Sequence, residues 1–184
     1  MNSGFAEAAE RAGDRLVCKL GCTQCCHGAF VVNPLDALRV RAGMETLRAT
    51  EPELAAEIAH RAGMWLVEHG SAFPGNVETG LLGNSPEERA RFEYFADDAA
   101  CPALDPATGR CDVYAWRPMT CRVFGPPVRV GDGTSLAHCE LCFAGASESD
   151  VAACEMEVPF ELEAELLDEI SSKDETVVAF TLIG

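Results

Sequence analysis

The stretch that decides the reading is Cys18-Lys19-Leu20-Gly21-Cys22-Thr23-Gln24-Cys25-Cys26, four cysteines in nine residues with the spacing C-x3-C-x2-C-C. Core cysteines would be scattered at helix or strand periods rather than packed this densely. A thiolate is a soft, charged ligand that holds zinc, copper(I) or iron–sulfur clusters tightly. A C-x2-C spacing lets one tight turn aim two sulfurs at one ion, and backbone N–H groups of such turns offset the sulfur charge. Side chains of adjacent residues tend to diverge in an extended backbone. One of Cys25 and Cys26 is therefore expected to serve a different ion from its neighbour, or to bridge two.

Working outward, the next 74 residues hold no cysteine, and then come Cys101, Cys111, Cys121, Cys139, Cys142 and Cys154, making ten in all. Cys101 and Cys111 flank Asp105-Pro106-Ala107-Thr108-Gly109. The pattern predicts short strands at 101–104 and 111–114 around that turn, a hairpin that brings the two cysteines close, as in a metal knuckle. Four N-terminal thiols and four or more distal ones could complete two tetrahedral sites of four thiolates each. A single four-ligand site with spare thiols is the plainer alternative. His27 and His138 each adjoin a cysteine and are further candidates, set against the plainer roles of outer-sphere or surface groups. His60 and His69 read as ordinary surface residues. Arg117 and Arg122 flank Cys121, where a guanidinium would offset thiolate charge and lower thiol pKa, set against plain ion pairs with the many carboxylates. Tyr114 and Trp116 read as core residues rather than gates of the site.

The chain has 184 residues, 48% of them apolar and 24% charged, the composition of a folded soluble protein. That length predicts one domain, 1–184, with a metal core at 18–143 and a C-terminal helix and strand at 155–184. The net charge of −16 makes this an acidic protein, repelled by phosphate backbones and anionic lipid. Nucleic-acid and membrane partners are not expected. The N-terminal stretch lacks the basic start and apolar run of a secretory signal, so a cytoplasmic protein is expected. In a reducing cytosol structural disulfides rarely persist, and thiols there point to metal or redox chemistry.

The whole pattern resembles the YkgJ-like cysteine-cluster family of zinc- or iron-chelating domains, which includes the chelating part of flagellin lysine N-methylases. The stretches that carry the resemblance are Cys18 to Cys26, Cys101-Pro102-Ala103-Leu104-Asp105, Cys111-Asp112-Val113-Tyr114, Arg117-Pro118-Met119-Thr120-Cys121-Arg122 and Cys139-Glu140-Leu141-Cys142-Phe143. The resemblance implies eight metal ligands: Cys18, Cys22, Cys25, Cys26, Cys101, Cys111, Cys121 and Cys139. Cys142 stands where many relatives carry another residue, and Cys154 lies outside the pattern, so the resemblance assigns neither. The spacing Cys18-x3-Cys22-x2-Cys25 is also that of radical S-adenosylmethionine enzymes. Against that reading, the chain shows no repeated strand–helix units, and Cys26 and the distal cysteines would be left without a role.

The rest of the chain predicts an α+β fold, several helices around short β-hairpins and a cysteine-rich metal centre. Phe5, Ala8, Ala9, Ala12 and Leu16 mark an amphipathic helix leading into Cys18. Ala29–Val32 reads as a strand. Asn33-Pro34 starts a helix to about Ala49, with Gly43 as a weak point. Thr50-x-x-Glu53 reads as a capping box, followed by the helical face Leu54, Ile58, Ala62, Trp65, Leu66 that Gly70 closes. Residues 71–84 read as a loop. Ser85-Pro86-Glu87-Glu88 is a second capping box, opening a helix with Phe92 and Phe95 that ends near Ala99. Val128–Val130 and Ser135–Ala137 read as a hairpin. Pro159 starts an acidic helix with Phe160, Ala164, Leu167 and Ile170 as its buried stripe; its charge reads as a solvated face rather than a docking site for a basic partner. Thr176–Ile183, apolar and β-branched, reads as a strand.

No catalytic constellation is visible: there is no Gly-rich phosphate loop, no G-x-S-x-G, no HExxH and no paired acid/base carboxylates. The first functional expectation is chelation of zinc in a structural or metal-handling centre, since full thiolate ligation leaves no open position for water. The alternatives are iron, as Fe–S clusters in an electron-transfer or oxidoreductase role or as ferrous ions; a thiol redox switch; and an accessory of a methylase-type system. S-adenosylmethionine binding is not expected.

Overall fold

A computed structural model of the chain describes residues 2–18, 21–131, 133–170 and 172–184. In chain order its elements are α1 (Asn2–Ala12), α2 (Pro34–Thr50), α3 (Pro52–His69), β1 (Gly75–Asn76), β2 (Leu81–Leu82), α4 (Pro86–Phe92), α5 (Met119–Val123), β3 (Val128–Val130), β4 (Ser135–Ala137), α6 (Glu148–Ala153), α7 (Phe160–Glu169) and α8 (Val178–Ile183). The class is α+β, helices with antiparallel hairpins β1–β2 and β3–β4. The chain divides into two compact units: a first, of residues 1–20 and 119–165, and a second, of residues 21–118 and 166–184.

The second unit is built on α2, α3 and α8. Asn33 caps α2 by accepting the Asp36 N–H at 2.9 Å, with Pro34 in the first turn, as the sequence predicts. Val40 and Met44 on α2 and Ile58 and Ala62 on α3 are fully buried in one core. The Thr50–Glu53 box does not form. α2 runs through Thr50, whose hydroxyl donates to the Thr46 carbonyl at 2.9 Å, and Glu51 takes the cap position of α3 without a side-chain bond. Gly70 closes α3 in an ordinary right-handed conformation, and a 3-10 turn, Gly70–Ala72, follows.

Thr176–Ile183 is the largest correction. Thr176 forms a single bridge, exchanging hydrogen bonds with Val32 at 2.8 and 3.0 Å, Val177 is extended at the cap position, and Val178–Ile183 is helical. Val178 and Leu182 are buried with residues of α2 and α3. A strand seated among helices would bury backbone groups with no partner, whereas a helix satisfies its own. The Ala29–Val32 strand likewise reduces to this one bridge at Val32. Residues 71–84 are more ordered than a loop, for they contain β1–β2, in which Gly75 pairs with Leu82 and Asn76 with Leu81. α4 has the predicted Ser85–Glu88 capping box but ends at Phe92 rather than near Ala99. Phe92 and Phe95 then join a second core with Phe73, Trp65 and Phe180.

In the first unit α1 buries Ala8 and Ala12. Ala8 packs with Val128 and Met156, and Ala12 with Cys139, Cys142, Phe143 and Cys154. The predicted β3–β4 hairpin forms, with Val128 opposite Ala137. The boundary between the units falls within α7. Its predicted buried stripe is absent: among the described residues of α7 none is buried, and Phe160 and Ile170 are 47% and 38% exposed. The apolar spacing was that of a packed helix, but no core covers it. No helix of the described residues is long and apolar enough to cross a membrane.

Gly43, read from sequence as a weak point, has a packing reason. A Cβ there would fall 2.5 Å from the Trp116 ring, whereas one at Gly63 in α3 would meet nothing within 4 Å. Gly43→Ala therefore overpacks the core, a change that costs about 1–3 kcal/mol and outweighs the roughly 1 kcal/mol gain in helix propensity. Gly63→Ala keeps the propensity gain. Thermal melts are expected to show Gly43→Ala below and Gly63→Ala above the parent.

Candidate metal centre

The second unit carries Cys22, Cys25, Cys26, Cys101 and Cys111; the first carries Cys18, Cys121, Cys139, Cys142 and Cys154. In the second unit the joining device is backbone. The Cys101 N–H donates to the Cys26 carbonyl at 2.7 Å, and the Gly28 N–H to the Ala99 carbonyl at 2.9 Å, on either side of the His27–Ala100 bridge. The hairpin predicted between Cys101 and Cys111 is present in a reduced form. It holds a single bridge, Leu104 with Cys111, with the Asp105 N–H donating to the Arg110 carbonyl at 2.8 Å and the Asp112 N–H to the Ala103 carbonyl at 2.9 Å. The Asp105 carboxylate accepts the Ala107 N–H and the Thr108 hydroxyl to close the turn. The second predicted strand gives way at Tyr114 to a 3-10 turn, Tyr114–Trp116.

Cys101 and Cys111 sit in the same local geometry. Each carbonyl accepts the N–H three residues on, from Leu104 at 2.9 Å and Tyr114 at 3.1 Å. Each sulfur accepts the N–H two residues on, from Ala103 and Val113. This is the tight turn that presents a sulfur and offsets its charge. The Cys22–Cys25 turn packs onto the hairpin, since a Cβ at Gly109 would meet the Thr23 methyl at 3.4 Å and the Gly21 carbonyl oxygen at 3.7 Å.

The four sulfurs of Cys25, Cys26, Cys101 and Cys111 act on one another. The Cys26 thiol donates to the Cys25 sulfur, which lowers Cys25 from an ordinary 9.0 to about 6 and raises Cys26. Burial pushes Cys101 up to about 12 and also raises Cys111. Repulsion from neighbouring cysteines adds to the rise at Cys26, Cys101 and Cys111. Two guanidinium groups oppose it. Arg117 lowers Cys25 and Cys111 while lying over the Tyr114 ring, 3.6 Å from its centroid. Arg61 lowers Cys101; it donates to the Pro102 carbonyl at 3.0 Å and pairs with Asp112 at 2.5 Å, bracing both arms of the hairpin. The charge-offsetting role expected of Arg117 thus falls on cysteines of the second unit. Arg122 is buried in the first unit.

Among the described residues no three Cys, His, Asp or Glu side chains stand at the mutual distances of a closed metal site. At Cys25 and Cys26 the Cys26 thiol donates its proton to the neighbouring sulfur. Loading an ion must displace that proton and free the two sulfurs from one another. The donor set, partly buried thiols with backbone N–H donors and nearby guanidinium groups, fits a thiophilic cation. Of the candidate histidines, His27 is exposed and its Nδ1 donates to the Thr23 carbonyl at 3.1 Å, and His138 Nδ1 donates to the Cys139 carbonyl at 3.0 Å.

A family model, CxxCxxCC, whose description reads "Putative zinc- or iron-chelating domain", matches residues 17–142, which is 126 of the 184 residues. The chain belongs to this family. The match to the CxxCxxCC family opens one residue before Cys18 and closes on Cys142, so it takes in every cysteine but Cys154. No curated protein and no solved structure matches the chain.

The Cys25–Cys26 pair generates a pH prediction for the metal-free, reduced protein. Because its pKa lies below the ordinary value, Cys25 becomes a nucleophilic thiolate as pH rises through about 6 rather than 9.0. Iodoacetamide labelling followed by peptide mass mapping should find Cys25 modified first at pH 6–7. Cys26→Ala, which removes the donor, should move that labelling profile to higher pH. A first label on any other cysteine would contradict the arrangement.

Proposed function

We propose that this zinc- or iron-chelating chain holds metal through cysteine thiolates alone, as a structural or metal-handling centre, with Cys18, Cys22, Cys25, Cys26, Cys101, Cys111, Cys121 and Cys139 as ligands. The observation that carries the reading is the convergence in the second unit of Cys25, Cys26, Cys101 and Cys111. They come from segments 74 residues apart, and Cys101 and Cys111 are set in matching tight turns. Cys22 is the further thiolate of that unit, and Cys18, Cys121 and Cys139 belong to the first.

The chemistry of the donor set supports a closed site rather than a hydrolytic one, because four thiolates saturate a tetrahedral ion and leave no water to activate. It also supports coupling of metal to stability. Burial holds Cys101 and Cys111 in the thiol form until a cation replaces their protons, so affinity falls in acid and loading releases protons. Soft thiolates suit zinc, ferrous iron and Fe–S clusters alike. Their partners are then metal ions, with no call for nucleic acid or membrane.

Elemental analysis with acid-labile sulfide, on protein purified without air or chelator, tests this. Zinc or iron without sulfide is the expected result; iron with matching sulfide would move the protein to the electron-transfer class. Cys25→Ser and Cys111→Ser should each lower bound metal and melting temperature. If both variants keep full metal and full stability, the reading fails.

A further inference from the structure

The first unit holds only Cys18, Cys121 and Cys139 of the eight proposed ligands, and three thiolates do not close a tetrahedral four-thiolate site. A further sulfur of that unit stands beside Cys18 and Cys139. Cys142 follows Cys139 at C-x2-C spacing and is 1% exposed. Its N–H donates to the Cys139 carbonyl at 2.9 Å, closing the same kind of turn that presents Cys101 and Cys111 in the second unit. The sulfurs of Cys139 and Cys142 are hydrogen-bonded to each other. The Cys142 sulfur also accepts the N–H groups of Val17 and Cys18, which places the knuckle against the first cysteine of the N-terminal motif.

Two backbone features hold this arrangement. Phe143, immediately after Cys142, is buried with a φ of +59°, a left-handed conformation that a bulky residue adopts only under constraint, and its N–H donates to the Arg15 carbonyl at 2.9 Å. Gly125, at φ +135°, brings the backbone so close that a Cβ would lie 3.4 Å from the Cys18 sulfur. The Gly125 carbonyl accepts the Cys139 N–H at 3.3 Å. One loop therefore touches both cysteines.

We propose that Cys142 is the fourth thiolate of a second chelating centre lying wholly within the first unit, with Cys18, Cys121 and Cys139 as the other three. The assignment rests on the chelating function proposed above. It adds a ligand that the eight-cysteine set lacks, and it separates the metal content into two independent equivalents. Cys154 is a matched control, because it is 2% exposed in the same apolar cluster and a substitution there disturbs the same packing.

The test is bound metal per chain, measured on protein purified without air, for the parent and for Cys111→Ser, Cys142→Ala, Cys154→Ala and the double variant Cys111→Ser/Cys142→Ala. Cobalt(II) titration of the metal-free forms, read by thiolate-to-cobalt charge-transfer absorption, supplies a second count. The expected pattern is two equivalents in the parent and in Cys154→Ala, one in each of Cys111→Ser and Cys142→Ala, and none in the double variant. Two equivalents retained in Cys142→Ala while Cys111→Ser loses one would overturn the assignment and leave the chelating function standing. Equal losses in Cys142→Ala and Cys154→Ala would also overturn it, as a packing effect. Full metal in Cys111→Ser would instead count against the chelating function itself.

Discussion

Everything at the centre of the second unit depends on the 2.7 Å hydrogen bond from the Cys101 N–H to the Cys26 carbonyl and its companion between Gly28 and Ala99. Together they close a loop of 74 residues. Loop closure at that length costs on the order of 4 kcal/mol of chain entropy, and two backbone hydrogen bonds contribute a net of about 1 kcal/mol each. The bridge cannot stand by itself. It persists because the intervening chain folds into α2 and α3, whose buried Val40, Met44, Ile58 and Ala62 share a core with Ala103 and Val113, next to Cys101 and Cys111. The apolar core is therefore the scaffold of the thiols, and Trp116 over Gly43 is one of the places where the two meet.

Electrostatics then sets what these thiols can do. In a chain of net charge −16, further anions brought together would be unfavourable. The sulfurs of the second unit are compensated by N–H donors from Ala103 and Val113 and by Arg61 and Arg117, yet burial still holds Cys101 and Cys111 in the protonated form. That balance is short of positive charge by design of the local structure, and a divalent cation supplies what is missing. Arg61 has a double part, since its pairing with Asp112 and Pro102 fixes the hairpin that carries both cysteines.

Much of this was legible in the sequence where the signal is local. The cysteine spacing gave the family and the turn between Cys101 and Cys111. Asn33-Pro34 and Ser85-Pro86-Glu87-Glu88 gave two helix starts, because a cap is a contact between residues three apart. What failed depended on distant neighbours. Val178–Ile183 has the composition of a strand and is a helix because of what surrounds it. Phe160–Ile170 has the period of a packed helix and lies exposed. Thr50 bonds backward to Thr46 because α2 continues through it. The division of the cysteines between two units has no compositional mark at residues 20 and 118. Cys142 lies inside the family match, but the resemblance assigns it no role; its C-x2-C spacing from Cys139 is the available signal.

The position of α8 in the chain bears on synthesis. Every cysteine, down to Cys154, precedes Val178–Ile183, the helix that shares the core of α2 and α3. A chain emerging at roughly 5–20 residues per second thus makes Cys22, Cys25, Cys26, Cys101 and Cys111 before the element that consolidates their scaffold exists. During that interval the nascent cysteines are open to oxidation and to adventitious metal. The order of translation makes maturation of the centre in the second unit a late event, completed only after the last cysteine has been made.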